Sequence, residues 1–451
     1  MQIEIGTLQS RIITDNPELF GVLQELYTFT VPGAEFTPAY KSYRWDGKKK
    51  FISDSGLFRT GLLNSILKDL DRVKCEPVIS EEKTHPELNP YDIPGITLYD
   101  FQKQLVKEAL KNQRGVIQSP TGSGKTVILA ALIKALWGRP MVILFRAKQL
   151  LIQTYKFLTE DCKIKNVGFA FGEGYQEADI MLCTVQSVDK ILDSHLETAE
   201  ALFIDEVHEF PNGKVTRAAI ESFPKAIYRY GLTATPPKDA IPKLTLEGAL
   251  GPIIAAKSTT ELIEEGKLTK PVVQFIRIPR KDHKDTDLTY PQVYDQYVVN
   301  NKNRNQKIAK IVDKTFAGKN QAKILILVKN IQHIHNLLNL MPFADSIQGE
   351  DDLSVRYSKI NRFLESSQSC LIATKVAQTG VNIKEITHII NGAGYKSEIP
   401  TIQGLGRALR KHESKLLVYY YDFVDPYKYL ADHSKNRKKI LLNEGHEVTI
   451  I

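Results

Sequence analysis

Short runs of consecutive apolar residues recur along most of the chain, and they do not alternate with polar ones. Between about residue 93 and residue 236 they are "GVIQSP", "MVILF", "DIMLCT", "ALFIDE" and "RYGLTAT". A second series, "KILILV", "SCLIAT", "THIIN" and "LLVYYYDF", follows Pro271. Runs this short and this apolar predict strands buried on both faces, and the helical periods between them predict crossover helices. That combination means a parallel sheet covered on both sides. The fold class is α/β, with two such lobes in tandem.

The first part of the chain reads differently. "PAYKSYRWDGKKKFIS" interleaves aromatic and basic residues around Asp46-Gly47, a dipeptide that favours a two-residue hairpin turn. "GLLNSILKDL" has the period of a helix. A small N-terminal α+β module is expected over residues 1–92. It ends in the Pro- and Gly-bearing "PYDIPGI". The first lobe is then expected over 93–265 and the second over 266–451, with a hinge in the Pro/Gly-bearing stretch 237–270.

Sixty Lys and Arg against 52 Asp and Glu leave a net charge of +8, which favours an acidic partner such as nucleic acid without requiring one. Cys75, Cys162, Cys183 and Cys370 are scattered with no C-x-x-C pair, so neither a zinc site nor a disulfide framework is legible. No apolar run approaches the roughly 20 residues that span a bilayer, so no membrane partner is expected. A cytoplasmic protein is expected, in the host cell's cytoplasm if the chain is phage-encoded.

The chemistry concentrates in "SPTGSGKT". A strand, "GVIQ", runs into this loop and an apolar helix, "VILAALIKALW", follows it. Backbone N–H groups and a helix N-terminus at a strand end favour a phosphate. The usual G-x-x-x-x-G-K-[ST] has glycine where this chain has Ser119. Gly122 and Gly124 allow close approach, Lys125 is placed to meet the β- and γ-phosphates, and Thr126 to ligate Mg²⁺. About 80 residues on, the strand "ALFIDEVH" ends in Asp205-Glu206, the pair such a loop requires: Asp205 for Mg²⁺, Glu206 to polarise the attacking water.

Residues Thr121, Gly122, Ser123, Gly124, Lys125 and Thr126, with "DEVH" and "TAT", resemble motifs I, II and III of superfamily 2 helicases and translocases, in which Ser119 is an ordinary variant. Gln102 in "LYDFQKQLV" resembles the family's adenine-reading Q motif, which implies ATP over GTP; Tyr99 stands where many relatives have Arg. "LFRAKQLL" and "CTVQSV" resemble the strand-gripping motifs Ia and Ib, implying DNA contacts from Arg146, Lys148, Thr184 and Gln186. In the second lobe, "ATKVAQTGVNI" resembles motif V, implying that Gly380 and Asn382 face nucleotide and Thr379 the strand. "QGLGRALR" resembles motif VI, whose Gln403, Arg407 and Arg410 share one helix side by their offsets of four and three and are implied to meet the γ-phosphate. The resemblance implies two RecA-like lobes and an ATP-driven motor with Mg²⁺.

The flanks "YRWDGKKKF…GLFRTGLL" and "GYKSEIPTIQGLGRALRKHESK" resemble the UvsW-type phage helicases, relatives of the XPB and RecG motors. That implies 3′→5′ tracking and action on branched DNA: forks, Holliday-type junctions, D-loops and the RNA–DNA hybrids of R-loops, in replication, recombination and repair. Lys41, Arg44, Lys48, Lys49 and Lys50, interleaved with Trp45 and other aromatics, are a phosphate- and base-contacting ribbon on one reading and a small core with a blunted edge on another. An RNA helicase, a duplex translocase that separates no strands, and an ATP-gated binding module without turnover stay open. The polar stretch 279–305 is either a strand-splitting element or an ordinary connection and helix cap. The basic tail around "HSKNRKKILLNEGHEV" either grips DNA or is solvated.

Overall fold

The computed structural model describes the whole chain except residues 81–87, 192, 210–213, 281–284, 286, 319–320, 375–382, 395, 397 and 414. The chain forms two compact units, one of Met1–Ser119 and Gly124–Lys257, the other of Pro120–Ser123 and Ser258–Ile451.

An eight-stranded sheet organises the first unit. Its order is Gly174–Gln176, Val167–Phe171, Ile180–Thr184, Met141–Phe145, Ala201–Asp205, Tyr228–Thr233, Arg114–Gln118 and Ile253–Ala256. All neighbours are parallel except the first pair. Met141–Phe145 and Ile180–Thr184 are buried at every position, as unbroken apolar runs require. Val167–Phe171 and Ile253–Ala256 are strands that the apolar pattern alone did not reveal: glycine and polar neighbours dilute the first, and two flanking segments of weak pattern hide the second.

The N-terminal module belongs to this unit. Strands Gln2–Glu4, Gln9–Ile13, Leu57–Arg59 and Val78–Ser80 make a four-stranded sheet that packs with helix Leu63–Arg72 around Ile3, Ile12, Leu23, Tyr27, Phe58, Ile66 and Leu70. The predicted helix is present, but the predicted hairpin across Asp46-Gly47 is not. Lys48–Lys50 pairs instead with Thr28–Thr30, and "PAYK" is a short helix that Thr37 caps and Pro38 starts. Proline at the first helical position and threonine at the cap are strong local signals, and they outweigh the turn dipeptide.

The module docks on helix Ala240–Leu250. A Cβ on Gly61 would lie 2.0 Å from the carbonyl oxygen of Glu247, so only glycine lets the two backbones meet. Around that contact Ser65 donates to Glu247, Lys49 Nζ donates to Thr245 Oγ1, and Arg59 pairs with Glu221. Arg114, the first residue of the strand leading to the phosphate loop, donates to the Thr7 carbonyl at 2.9 Å. The stretch read as a hinge thus holds this helix and the strand Ile253–Ala256.

The second unit carries a seven-stranded sheet, parallel throughout, in the order Asp345–Ile347, Gln368–Thr374, Ala322–Val328, His388–Asn391, Leu417–Val424, Lys270–Arg277 and Val448–Ile450. Its core gathers Ile308, Val312, Ile324, Ile326, Val328, Leu337, Ile372 and Phe423. Both lobes are the α/β sheets expected. Among the described residues no helix is long and apolar enough to cross a membrane.

Candidate functional site

In the first unit Gln118, Phe145, Thr184, Asp205 and Thr233 end neighbouring parallel strands, so the residues after them share the carboxyl edge of one sheet, where open α/β sheets bind ligands. The loop after Gln118 turns through Gly122 (φ +89°) and Gly124 (φ +85°), and helix Lys125–Ala135 starts at once with Gly124 as its cap. The left-handed backbone at both glycines is what excludes other residues there. Ser119 is not among the left-handed residues, and its N–H donates to the Thr233 carbonyl at 2.9 Å. This position demands a small buried residue, which serine supplies as well as glycine.

Lys125 Nζ lies 3.5 Å from the Ser119 carbonyl and 3.5 Å from Glu206 Oε1. Glu206 sits at φ +48°, a conformation costly for a side chain with a Cβ and common at functional sites. Burial, with Glu206 alongside, pushes Asp205 up to about 7, and Lys125 opposes that rise. Among the described residues Glu206 Oε2 is buried with no hydrogen-bond partner, 3.4 Å from His208 Nδ1. Two carboxylates short of positive charge, beside a helix that opens with Lys125-Thr126, fit a divalent cation whose remaining ligands come from phosphate and water. Thr126 and Asp205 are the residues that would hold it.

A relay that the motifs alone did not reveal runs behind this pair. His208 Nδ1 lies 2.8 Å from Thr233 Oγ1, which also accepts the N–H of Thr235 at 3.1 Å. The fourth letter of "DEVH" and the first of "TAT" are thus one hydrogen-bonded unit; only the recurrence of polar residues just past two buried strands hinted at it.

Gln102 is buried in the first turn of helix Asp100–Asn112, and its Oε1 accepts the N–H of Tyr99 at 2.9 Å. Its Nε2 reaches the phosphate loop: a Cβ on Gly124 would lie 2.5 Å from it. Tyr99, where arginine was the family expectation, is exposed and stacks on Phe101 at 5.9 Å.

Among the strand-gripping residues, Arg146 and Gln186 are exposed just past the paired positions Phe145 and Thr184. Thr184 is buried, donating to Ser187 Oγ at 3.0 Å, and Lys148 lies over the Phe171 ring at 4.8 Å. In the N-terminal module Lys41, Arg44 and Lys48 are exposed. Trp45 is half-buried, its indole N–H donating to the Lys48 carbonyl. Lys49 is committed to Thr245 and the Phe51 ring, and Lys50 to Asp54 at 2.8 Å.

In the second unit helix Glu398–Ala408 carries Gln403 and Arg407. Arg410 lies past its end, in a β-bridge to Leu268, so the three do not share one helix. The cause is Lys415: buried, and pushed by that burial down to about 8, it donates to the carbonyls of Ala408 and Ile386 and so caps the helix two residues before Arg410. Thr379, Gly380 and Asn382 lie outside the described residues.

Residues 95–238 match the family described as the res subunit of type III restriction enzymes, and residues 305–412 match the helicase conserved C-terminal domain. The ATP-dependent DNA helicase UvsW of Enterobacteria phage T4 is 24% identical, over 93% of this chain and 89% of its own length. The DNA 3′-5′ translocase XPB2 of Sulfurisphaera tokodaii is 25% identical over 78% of this chain and 88% of its own. A fragment of an HsdR subunit of a type I restriction enzyme from Vibrio vulnificus superposes with a TM-score of 0.59 at 18% identity, covering 78% of this chain and 68% of that one, and so shares the fold. With the two helicase domains in sequence and the first domain's motifs on the sheet edge that the fold reserves for ligands, the chain is a superfamily 2 helicase, similar to UvsW and to the XPB proteins.

Proposed function

We propose that the chain is an ATP-dependent DNA helicase that moves on DNA and remodels branched substrates. The observation that carries this reading is the gathering of Lys125, Asp205, Glu206, the Thr233 relay and the exposed Arg146 and Gln186 on one sheet edge. A site for the γ-phosphate and a grip for a DNA strand thus lie on neighbouring loops of one sheet edge.

ATP docks its phosphates on the amides of Thr121 to Thr126, with Gln102 and Tyr99 bounding the adenine end. Lys125 leaves Glu206 for the β- and γ-oxygens, which releases the Glu206 carboxylate to orient a water in line with the γ-phosphorus. Water adds to phosphorus as the bond to the β-γ bridging oxygen breaks, giving ADP and phosphate. Thr126 and Asp205 would hold Mg²⁺, which would neutralise the phosphate oxygens. His208 stands between Glu206, at 3.4 Å, and Thr233, whose hydroxyl also accepts the N–H of Thr235, and so is placed to couple the carboxylate to that strand end. The resemblance of "QGLGRALR" to motif VI supports charge-stabilising roles for Arg407 and Arg410 in hydrolysis and a neutral hydrogen-bonding role for Gln403.

The N-terminal module is the branch-reading part, with Lys41, Arg44, Trp45 and Lys48 toward DNA; it is anchored through Lys49 and Gly61 to the unit that carries the phosphate loop. The sequence similarity to the DNA helicase UvsW over 93% of this chain supports the helicase reading, similarity to a DNA 3′-5′ translocase supports movement along DNA, and the flanks that resemble UvsW-type helicases carry the branched-DNA reading. The test is a branch-migration assay on a synthetic four-way junction with ATP and Mg²⁺. Splitting into two duplexes by the chain, and none by Lys125→Ala, is expected; translocation on duplex without splitting of the junction contradicts it.

A further inference from the structure

Besides the motif-bearing helix, the second unit presents at its sheet's carboxyl edge an aromatic cluster that no motif accounts for. Helix Tyr290–Tyr294 passes directly into a π-helical turn, Asp295–Val299, and the two bring Tyr290, Tyr294 and Tyr297 to one side. Tyr427 stacks on Tyr297 with ring centroids 3.7 Å apart, and Tyr290 meets Tyr429 edge-on at 6.0 Å and the His433 ring at 5.3 Å. Tyr427 and Tyr429 follow strand Leu417–Val424, and Lys329 follows strand Ala322–Val328.

Three independent features mark this cluster as more than packing. Tyr429 has a left-handed backbone, φ +61°, yet its ring is 39% exposed, so the strain is not repaid by burying the side chain. The π-helical turn is a costly interruption of regular geometry of the kind that collects at functional sites. Cations converge on the rings: Lys329 lies 5.4 Å from the Tyr290 ring and 4.7 Å from that of Tyr294, and Lys428 5.0 Å from that of Tyr429. The field is positive enough that Arg437, Lys396 and Lys329 all add to the effect of burial in lowering the proton affinity of His433, against Asp432 alone.

One exposed ring, Tyr429, on a base of buried tyrosines and flanked by the exposed Lys329 and Lys428, offers what an unpaired strand requires: a π-face for the base and positive charge for the phosphate. We infer that Tyr429, braced by Tyr290, is a stacking platform for an unpaired base of single-stranded DNA, with Lys329 and Lys428 on the flanking phosphates. The inference rests on the helicase reading and adds to it a contact with bases, whereas motif residues that grip through N–H groups hold the backbone. It also gives part of the polar stretch 279–305 a role on the separated strand.

The test uses the full chain and two fluorescent probes of equal length, oligo(dT) and an abasic oligonucleotide that offers phosphates alone. Tyr429→Gly is the informative variant, because glycine suits φ +61° and the folded chain should lose no stability at that position. The wild type should prefer oligo(dT), and Tyr429→Gly should lose about five-fold or more in affinity for it while abasic binding holds, the lower end of what one stacked base contributes. Tyr429→Trp should keep the preference. Lys329→Ala should weaken both probes alike and flatten the salt slope by about 0.7. Equal loss of both probes in Tyr429→Gly, or no loss of either, overturns the platform while DNA-stimulated ATPase leaves the helicase reading standing. No binding of either probe by the wild type overturns both.

Discussion

The backbone N–H of Ser119 donates to the carbonyl of Thr233 at 2.9 Å, which ties the first residue of the phosphate loop to the strand end whose side chain holds His208. The bond uses backbone alone, and Ser119 is fully buried without a left-handed φ. Volume, not conformational freedom, is what this position restricts. Ser119→Ala and Ser119→Gly are therefore expected to keep the ATP KM within about two-fold, whereas Ser119→Leu, which overpacks the loop at a cost of about 1–3 kcal/mol, should abolish ATPase activity. Steady-state ATPase kinetics on the three variants check this.

Glu206 pairs with Lys125 at 3.5 Å and lies 3.4 Å from His208. Replacing it with glutamine keeps the shape and removes the base. Glu206→Gln should bind ATP as the wild type does and hydrolyse it about 10²–10⁴ times more slowly, the usual worth of a positioned base. Single-turnover hydrolysis beside equilibrium binding of a fluorescent ATP analogue separates the two effects.

Adjacent lysines in the N-terminal module should behave oppositely. Lys49 donates to Thr245 on the docking helix, so Lys49→Ala should cost about 1 kcal/mol and lower the melting temperature. Lys48 is exposed, so Lys48→Ala should leave melting unchanged, weaken fork binding and reduce the salt slope by about 0.9. Thermal unfolding and fork titrations over a salt series discriminate them.

Acid should weaken the second unit through its histidines. Burial, with Arg304 adding to it, pushes His333 down to about 3; burial alone pushes His388 and His446 to about 4. Unfolding returns each to an ordinary value near 6.5, so below that pH the unfolded chain binds protons that the folded chain refuses. Stability is full above about pH 6.5 and falls as the pH drops toward 4, by about 2 kcal/mol per histidine at pH 5. Melting curves at pH 7.5 and pH 5 should show the loss, and His388→Gln, which cannot titrate, should shallow it.

Much of this was legible before the structure, for a physical reason. Strands buried on both faces leave unbroken apolar runs, and a phosphate loop must place glycine, lysine and threonine at fixed spacings, so both lobes and the ATP site stand out in the chain. What was illegible depended on partners far away in sequence. Lys48–Lys50 pairs with Thr28–Thr30 rather than across its own turn; Gly61 is required by the carbonyl of Glu247; Arg410 leaves its helix because Lys415 caps it. The roles of Lys49 and Lys50 likewise follow from Thr245 and Asp54, not from the basic run they sit in. Tyr429 carried no signal in the sequence; its backbone and its neighbours give it its place.

DNA-driven, branch-preferring ATP hydrolysis is measured directly as the rate with single strand, duplex, fork, four-way junction and RNA, over a salt series. Fork and four-way junction should stimulate most, DNA should exceed RNA, stimulation should fall steeply with salt, and Glu206→Gln should be flat throughout. Equal stimulation by all five, or stimulation by RNA alone, would contradict the branched-DNA reading.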